Sequence, residues 1–366
     1  MQKQGSKNRA HPEVRKVFGD AAVVQKDKRK RQVIFGQFLI VNMRGDCLIV
    51  GYLGPRGTFS QQAALEMHMN LGCQVEYRAF NDIGDVFLAV SNGECDAGVV
   101  PIENSTEGPV NATLDALLRE DGINITALMN MPISHMLMGD GPNPGILEDP
   151  DDEPNSRILE DASALSELGD LEDAIASVKS SVQKILAHPQ ALAQCRGYIK
   201  ARYPDALLVN TASNGEAALL VSEEIKNQKK CNWVAIGPEA AAKEYDLHIW
   251  DRDIQDESVN STAFVQIKRK SGLEDILPDC RISIVFSVEN RPGTLCQILG
   301  IFDAYGINMI NILSRPMPGV PGEYVFYVDI DGYREDNIHI ALKKMQNEAI
   351  LFKLLGSYPV LKNKSL

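Results

Sequence analysis

From Cys47 onward, strand-like and helix-like segments alternate, and this rhythm restricts the chain more than any single motif does. CLIVGYLG (47–54) reads as a buried strand ending in a glycine turn. TFSQQAALEMHMNLG (58–72) reads as a helix, with Thr58 as its cap, Gln61 three residues on and Gly72 as its stop. VEYRAF (75–80) is strand-like, DIGDVFLAVSNG (82–93) helical and CDAGVVPI (95–102) strand-like again. A helix is expected from about Val110 to Arg119, and NITALMNMPISHMLMG (124–139) is rich in strand formers. The β-α-β-α-β order predicts a mostly parallel, doubly wound sheet.

Residues 140–166 break the rhythm with Pro, Gly and acidic residues and read as a surface insertion. Beyond them come a helix-like segment (171–178), regular structure over 184–204, a short strand (207–210), a helix (216–228), a strand (233–237), a helix with proline in its first turn (238–246) and a strand (263–267). KRKSGLEDILPDC (268–280) is a polar hinge. The segments after it follow the order strand (281–289), helix (294–306), strands (308–315 and 323–332), helix (337–347) and strand (349–358). That order is βαββαβ, the ferredoxin-like split motif.

The length of 366 residues suits two or three domains. No apolar run approaches the roughly 20 residues needed to span a bilayer, so no membrane role is expected. The seven cysteines form no CxxC pair, which suits reduced thiols in the cytoplasm. The net charge is −12, yet residues 1–45 hold eleven Lys/Arg against three acidic residues. The body that follows is therefore strongly acidic and a poor partner for nucleic acid. The basic head (1–47) lacks interleaved aromatics and reads as a disordered extension. No phosphate-binding glycine loop, HExxH or GxSxG occurs, and the six histidines are scattered. Neither a metal nor an organic cofactor is expected.

Three polar clusters stand out. In VVPIENSTEGPV (99–110), Asn104, Ser105 and Thr106 follow the end of a strand and precede a helix, where backbone N–H groups favour a carboxylate or phosphate. A single cap would account for one of these side chains, not all of them. In AHPQALAQC (187–195), Gln190 and Gln194 lie one helical turn apart on one face, where they could hold a polar ligand or simply face solvent. In ESVNSTAFVQI (257–267), Asn260, Ser261 and Thr262 precede a strand; a hydroxyl or amide there can donate to a ligand, or the three can form a turn.

In this order, GYLGPRGTFSQQAAL, VVPIENSTEGPV, HPQALAQC and NSTAF resemble the successive motifs of prephenate dehydratases. ENRPGTLCQILGIFDAYGINM and LSRP are similar to the ACT regulatory domain that follows them. The resemblance covers about residues 48–358. It implies a two-lobed α/β module of the periplasmic-binding-protein type (type II) over 48–268, with its site between the lobes, followed by a ferredoxin-like βαββαβ ACT domain over 279–360. It also implies conversion of prephenate to phenylpyruvate, carbon dioxide and water in phenylalanine synthesis, without a cofactor. The family's bifunctional members carry a helical chorismate mutase domain in front, for which residues 1–47 are too short and aperiodic.

By position, the resemblance makes Thr262 the donor to the leaving hydroxyl, with Asn104 and Gln194 beside it as catalytic groups. It assigns Ser105, Thr106, Gln190 and Ser213 to substrate binding. Gly293, Thr294 and Leu295, with Ser314, Arg315 and Pro316, match the effector motifs, implying phenylalanine bound between paired ACT units of a homodimer or homotetramer. Four positions depart from the family pattern: Ala263 for arginine, Ala187 for serine, Asn214 for threonine and Leu313 for glutamate. The missing arginine would be a natural partner for a substrate carboxylate, a role that Arg56 could take. An altered prephenate-processing lyase, such as a non-aromatising decarboxylase, and a non-catalytic carboxylate-binding regulator both stay open on this pattern.

Overall fold

The computed structural model describes residues 47–69, 73–141, 182–227, 231–257, 260–270, 280–332 and 335–362. The basic head up to residue 46, nearly all of the acidic insertion, the helix expected over 171–178 and most of the 268–280 hinge lie outside these residues.

The first lobe begins with β1 (Cys47–Leu53), α1 (Phe59–His68), β2 (Gln74–Phe80), α2 (Ile83–Asn92) and β3 (Ala97–Asn104). Thr58 Oγ1 accepts the Gln61 N–H at the start of α1, as the cap pattern predicts. Asp82 caps α2, and Gly93 ends it in a left-handed conformation. A two-residue strand, β4 (Gly108–Pro109), leads into α3 (Asn111–Arg119), and β5 (Ile123–Pro132) completes this part of the lobe. The chain then crosses over.

The second lobe holds β6 (Met136–Gly139), β7 (Lys184–Ala187), α4 (Pro189–Gln194), α5 (Arg196–Arg202), β8 (Leu207–Asn210), α6 (Asn214–Asn227), β9 (Trp233–Gly237), α7 (Glu239–Tyr245) and β10 (His248–Asp251). Its sheet has the order β10-β6-β9-β7-β8. The 184–204 stretch is thus one buried strand and two short helices, divided at Pro189 and Cys195.

The chain returns to the first lobe as β11 (Ser261–Arg269), which inserts between β3 and β5 and runs antiparallel to both. The sheet is therefore mixed rather than mostly parallel. Only β2, β1 and β3 keep the parallel βαβ arrangement, because β11 arrives from the other lobe instead of through a local crossover helix.

The last unit is β12 (Arg281–Ser287), α8 (Thr294–Ala304), β13 (Met309–Pro316), β14 (Tyr324–Asp331), α9 (Glu335–Glu348) and β15 (Leu351–Tyr358), followed by β16 (Val360–Leu361). Its antiparallel sheet has the order β13-β14-β12-β15. Alternation along β12 divides its two faces. Ile282, Ile284 and Phe286 pack among the residues of α8 and α9. Val285 joins Val325, Tyr327, Leu355 and Tyr358 in a core shared with Leu114, Leu117, Ile125 and Leu128 of the first lobe.

Polar contacts fasten this face onto α3. Tyr327 Oη donates to Leu114 O at 3.0 Å. Lys353 Nζ donates to the carbonyls of Leu117, Leu118 and Glu120 at the C-terminal end of the helix, at 2.8, 3.3 and 2.9 Å; Glu120 O also accepts the Ile123 N–H at 3.4 Å. Arg315 pairs with Asp115 at 2.8 Å. The chain end β16 adds to the first lobe's sheet, parallel to β5. A Cβ on Gly356 would stand 2.2 Å from Ile125 O, so the close approach of β15 to β5 needs glycine there.

Candidate active site

Pairing of β11 with β3 sets Thr262 opposite Asn104. Asn104 Nδ2 donates to Thr262 Oγ1 at 2.8 Å, to Asn260 Oδ1 at 3.0 Å and more weakly to Ser261 O at 3.3 Å. Its Oδ1 accepts the backbone N–H groups of Thr106 and Glu107 at 3.0 and 3.1 Å and the Thr106 hydroxyl at 2.7 Å. One asparagine therefore folds the whole polar turn after β3 in the manner of an Asx turn and holds the Thr262 hydroxyl.

These groups form one wall of a cleft of about 220 Å³ between the lobes. Phe59, Glu107, Val110, Asn260 and Thr262 are among its lining on the first lobe's side. From the other side come His135, Gln190, Gln194 and Asn214. Gln190 and Gln194 share the face of α4 that looks into the cleft. His188 starts that helix by accepting the Gln190 N–H at its Nδ1, while its own backbone N–H is held by Asn214 Oδ1. The His135 ring meets Gln194 Oε1 through Nε2 at 2.8 Å and lies edge-on to Phe59. Burial pushes the His135 pKa below its ordinary value, and the bond to Gln194 offsets part of that shift.

Asn104, Gln190, Gln194 and Thr262 thus come together from segments far apart in the chain. Four residues that the sequence reading placed with them do not line the cleft. Ser105 and Thr106 are spent on the turn: the Ser105 backbone N–H and Oγ bond to Ser261, and Thr106 is tied to Asn104. Ser213 caps α6, its Oγ accepting the Glu216 N–H at 3.0 Å, and its neighbour Asn214 faces the cleft instead. Arg56 pairs with Glu244 of the second lobe at 3.0 Å, with 65% of its side chain exposed.

The Arg56 segment does hold the lobes together. The Tyr245 hydroxyl donates to Arg56 O at 3.1 Å. A Cβ on Gly215 would come within 2.3 Å of Arg56 O, so the lobes meet there only because the residue is glycine. His135, Glu107 and Phe59 escaped sequence reasoning as cleft residues, whereas Asn260 belongs to a polar cluster already singled out and Asn214 to a position compared with the family pattern. The one available signal was the polar Ser134–His135 pair between apolar strands.

The departures from the family pattern also find their places. Ala263 and Glu103 face away from the cleft, onto a cavity of about 120 Å³ between the first lobe and the C-terminal sheet, beside Leu313, Asp329 and Tyr358. An arginine at 263 would enter that space and not the cleft. Ala187 is buried in the second lobe's core. Leu313 packs against the core shared between β12–β15 and the first lobe.

The effector-motif segments leave the same end of the C-terminal sheet, since Ser287 and Arg315 flank Val325 on opposite sides. Gly293 precedes α8 with φ 90°, Thr294 Oγ1 donates to Glu289 O at 2.7 Å, and Leu295 packs on the α8–α9 core. Ser314 and Pro316 are exposed, whereas Arg315 turns to Asp115 of α3.

Two α/β lobes around a polar cleft, with a βαββαβ sheet docked behind one of them, define a small-molecule cleft protein carrying a regulatory-type module. Family models identify the two parts: the prephenate dehydratase model matches residues 50–272 and the ACT domain model residues 282–337. The chain is 35% identical to a bifunctional chorismate mutase/prephenate dehydratase of Stutzerimonas stutzeri, over 85% of this chain and 73% of that protein. It is 32% identical to a prephenate dehydratase of Lactococcus lactis, over 85% of this chain and 97% of that protein. Among solved structures, a prephenate dehydratase from Arthrobacter aurescens in complex with L-Phe superposes with a TM-score of 0.66 at 26% identity, covering 85% of this chain and 90% of that one. The chain belongs to the prephenate dehydratase family.

Proposed function

We propose that the cleft converts prephenate to phenylpyruvate, carbon dioxide and water. Forming an aromatic ring supplies much of the driving force, so the protein has to hold a dianion, protonate the departing hydroxyl and keep bulk water out. The observation that carries the reading is the Asn104–Thr262 pair. Thr262 Oγ1 already accepts a hydrogen bond from the amide, so its own hydrogen is left to donate to the departing oxygen. A threonine hydroxyl is a feeble acid, and it serves once that oxygen turns strongly basic; solvent then restores the hydroxyl's proton, which is the one proton the conversion of a dianion to a monoanion, carbon dioxide and water consumes. Asn104 keeps the hydroxyl in place, and Gln190 and Gln194 orient the substrate from the facing lobe. Helix α3 begins at the cleft-lining Val110 without a side-chain cap, which suits a carboxylate near its first N–H groups.

The catalytic part extends over 48–268 and the ACT part over 279–360. The ACT part senses phenylalanine at Gly293–Leu295 and Ser314–Pro316 between paired copies; that a relative was solved in complex with L-Phe supports phenylalanine as the ligand. The free edge of β13, with Ile310 and Ile312 each 44% exposed, suits association into a homodimer or homotetramer. Seven free cysteines suit a reducing cytoplasm. Among the described residues no helix is long and apolar enough to cross a membrane. Incubating the purified chain with prephenate and reading phenylpyruvate by its absorbance in alkali tests the reading. Prephenate consumed to another product, or bound without being consumed, would overturn it.

A further inference from the structure

A dianionic substrate calls for positive charge, yet no lysine or arginine is among the described residues lining the cleft. Arg56 is occupied with Glu244 at the lobe seam. Position 263 faces the other side of the sheet. The ionisable side chains in the lining are Glu107 and His135.

His135 is 2% exposed. Its Nε2 meets Gln194 Oε1 at 2.8 Å. An amide oxygen only accepts, so Nε2 carries the hydrogen and Nδ1 presents a bare lone pair. That Nδ1 is buried and has no hydrogen-bond partner. A buried polar atom left unmatched is costly and uncommon, and it signals a partner that arrives later.

We propose that His135 is the substrate's charge partner: as the dianion enters, the ring takes a proton from solvent at Nδ1, and the imidazolium pairs with a substrate carboxylate. Gln194 is then a positioning residue, fixing the tautomer so that the new N–H forms on the free side. When the product leaves as a monoanion, the proton returns to solvent, and the ring is neutral again. The inference rests on the prephenate reading.

The surroundings leave this role to the substrate. Against the ring lie Phe59 of α1 and Gln194 of α4, while Gln255 Oε1 accepts the His135 backbone N–H. The carboxylate of Asp253 takes the Ser134 hydroxyl, and that of Asp256 takes the backbone N–H groups of Gly197 and Tyr198. Glu107 lies in the cleft. Burial lowers the His135 pKa, and the Gln194 bond opposes only part of that shift. The free ring is thus neutral near pH 7, and an entering dianion reverses the balance.

The test is the pH profile of kcat/KM for prephenate between pH 6 and 9, where both substrate carboxyls are ionised. The free enzyme's essential groups set this profile. Wild type is expected to lose about tenfold per pH unit towards high pH. His135→Asn and His135→Gln should be about 10- to 100-fold lower at pH 6, mainly through KM, and flat with pH. Glu107→Gln should keep the wild-type slope, which separates the two ionisable groups. A flat wild-type profile overturns the proposal without any variant having to fold. An unchanged slope in a folded His135 variant, or loss of the slope in Glu107→Gln, overturns it as well. No phenylpyruvate at any pH would overturn the prephenate reading and this inference with it.

Discussion

Asn104 Nδ2 stands 2.8 Å from Thr262 Oγ1 and donates to it across 158 residues of chain. The bond joins the end of β3, the last strand before the polar turn, to the start of β11, the strand that returns from the second lobe. Both side chains are 9% exposed, so the hydroxyl has little water to compete for its hydrogen.

Replacing Thr262 by valine keeps the shape and removes the hydroxyl. Phenylpyruvate formation should fall by about 10² to 10⁴ in kcat, with circular dichroism unchanged. Full activity in that variant would take the proton donor's role away from Thr262.

Thr262 and Ala263 are neighbours that face opposite compartments. Ala263→Arg should therefore place its charge beside Glu103, behind the sheet. kcat/KM should stay within about threefold of wild type, as for substitutions away from a site. A large gain in kcat/KM would mean that position 263 reaches the substrate after all.

Lys353→Met keeps most of the stem but strips an ammonium from three carbonyls at the end of α3. Glu120 O keeps the Ile123 N–H, but leaving the Leu117 and Leu118 carbonyls unmatched costs about 1–3 kcal/mol. Tyr327→Phe, which removes one bond to Leu114 O, should cost about 1 kcal/mol. Thermal unfolding should rank wild type above Tyr327→Phe and that above Lys353→Met. Equal melting temperatures would show that the shared apolar core alone holds the C-terminal sheet in place.

His68 provides a stability switch in acid. It is 2% exposed, and burial lowers its pKa to about 4. Ala64 O accepts from Nδ1 at 2.7 Å, so Nε2 accepts from Gln266 Nε2 at 2.7 Å, and a protonated ring would set two donors against each other. Between pH 4 and 6.5 the unfolded chain binds this proton and the folded chain does not. Stability therefore falls as the pH drops through that window, by up to about 3 kcal/mol. His68→Gln should flatten this part of the stability–pH curve. An equally steep curve in the variant would assign the acid sensitivity to other groups.

Elements with a local cause could be read directly from the chain. Thr58 caps a helix, Gly93 ends one, and the six-element order after residue 280 reproduces a βαββαβ sheet, because caps and periodicity act over a few residues. The residues whose position depends on chain-distant partners could not be placed in that way. Ser213 and Asn214 are both polar and adjacent; Ser213 caps its own helix locally, but only the approach of α4 makes Asn214 a cleft residue.

Local patterning therefore established the elements, the acidic body and the motif order that Asn104, Gln194 and Thr262 belong to. The packing of lobes and sheets settled the rest: which face of β11 meets the cleft, the pairing of Arg56 with Glu244, and the burial of His135 with one nitrogen unmatched. Side-chain alternation tells that neighbours part company, but the partner on each side comes from segments dozens to hundreds of residues away. Only the folded chain brings those segments within bonding distance.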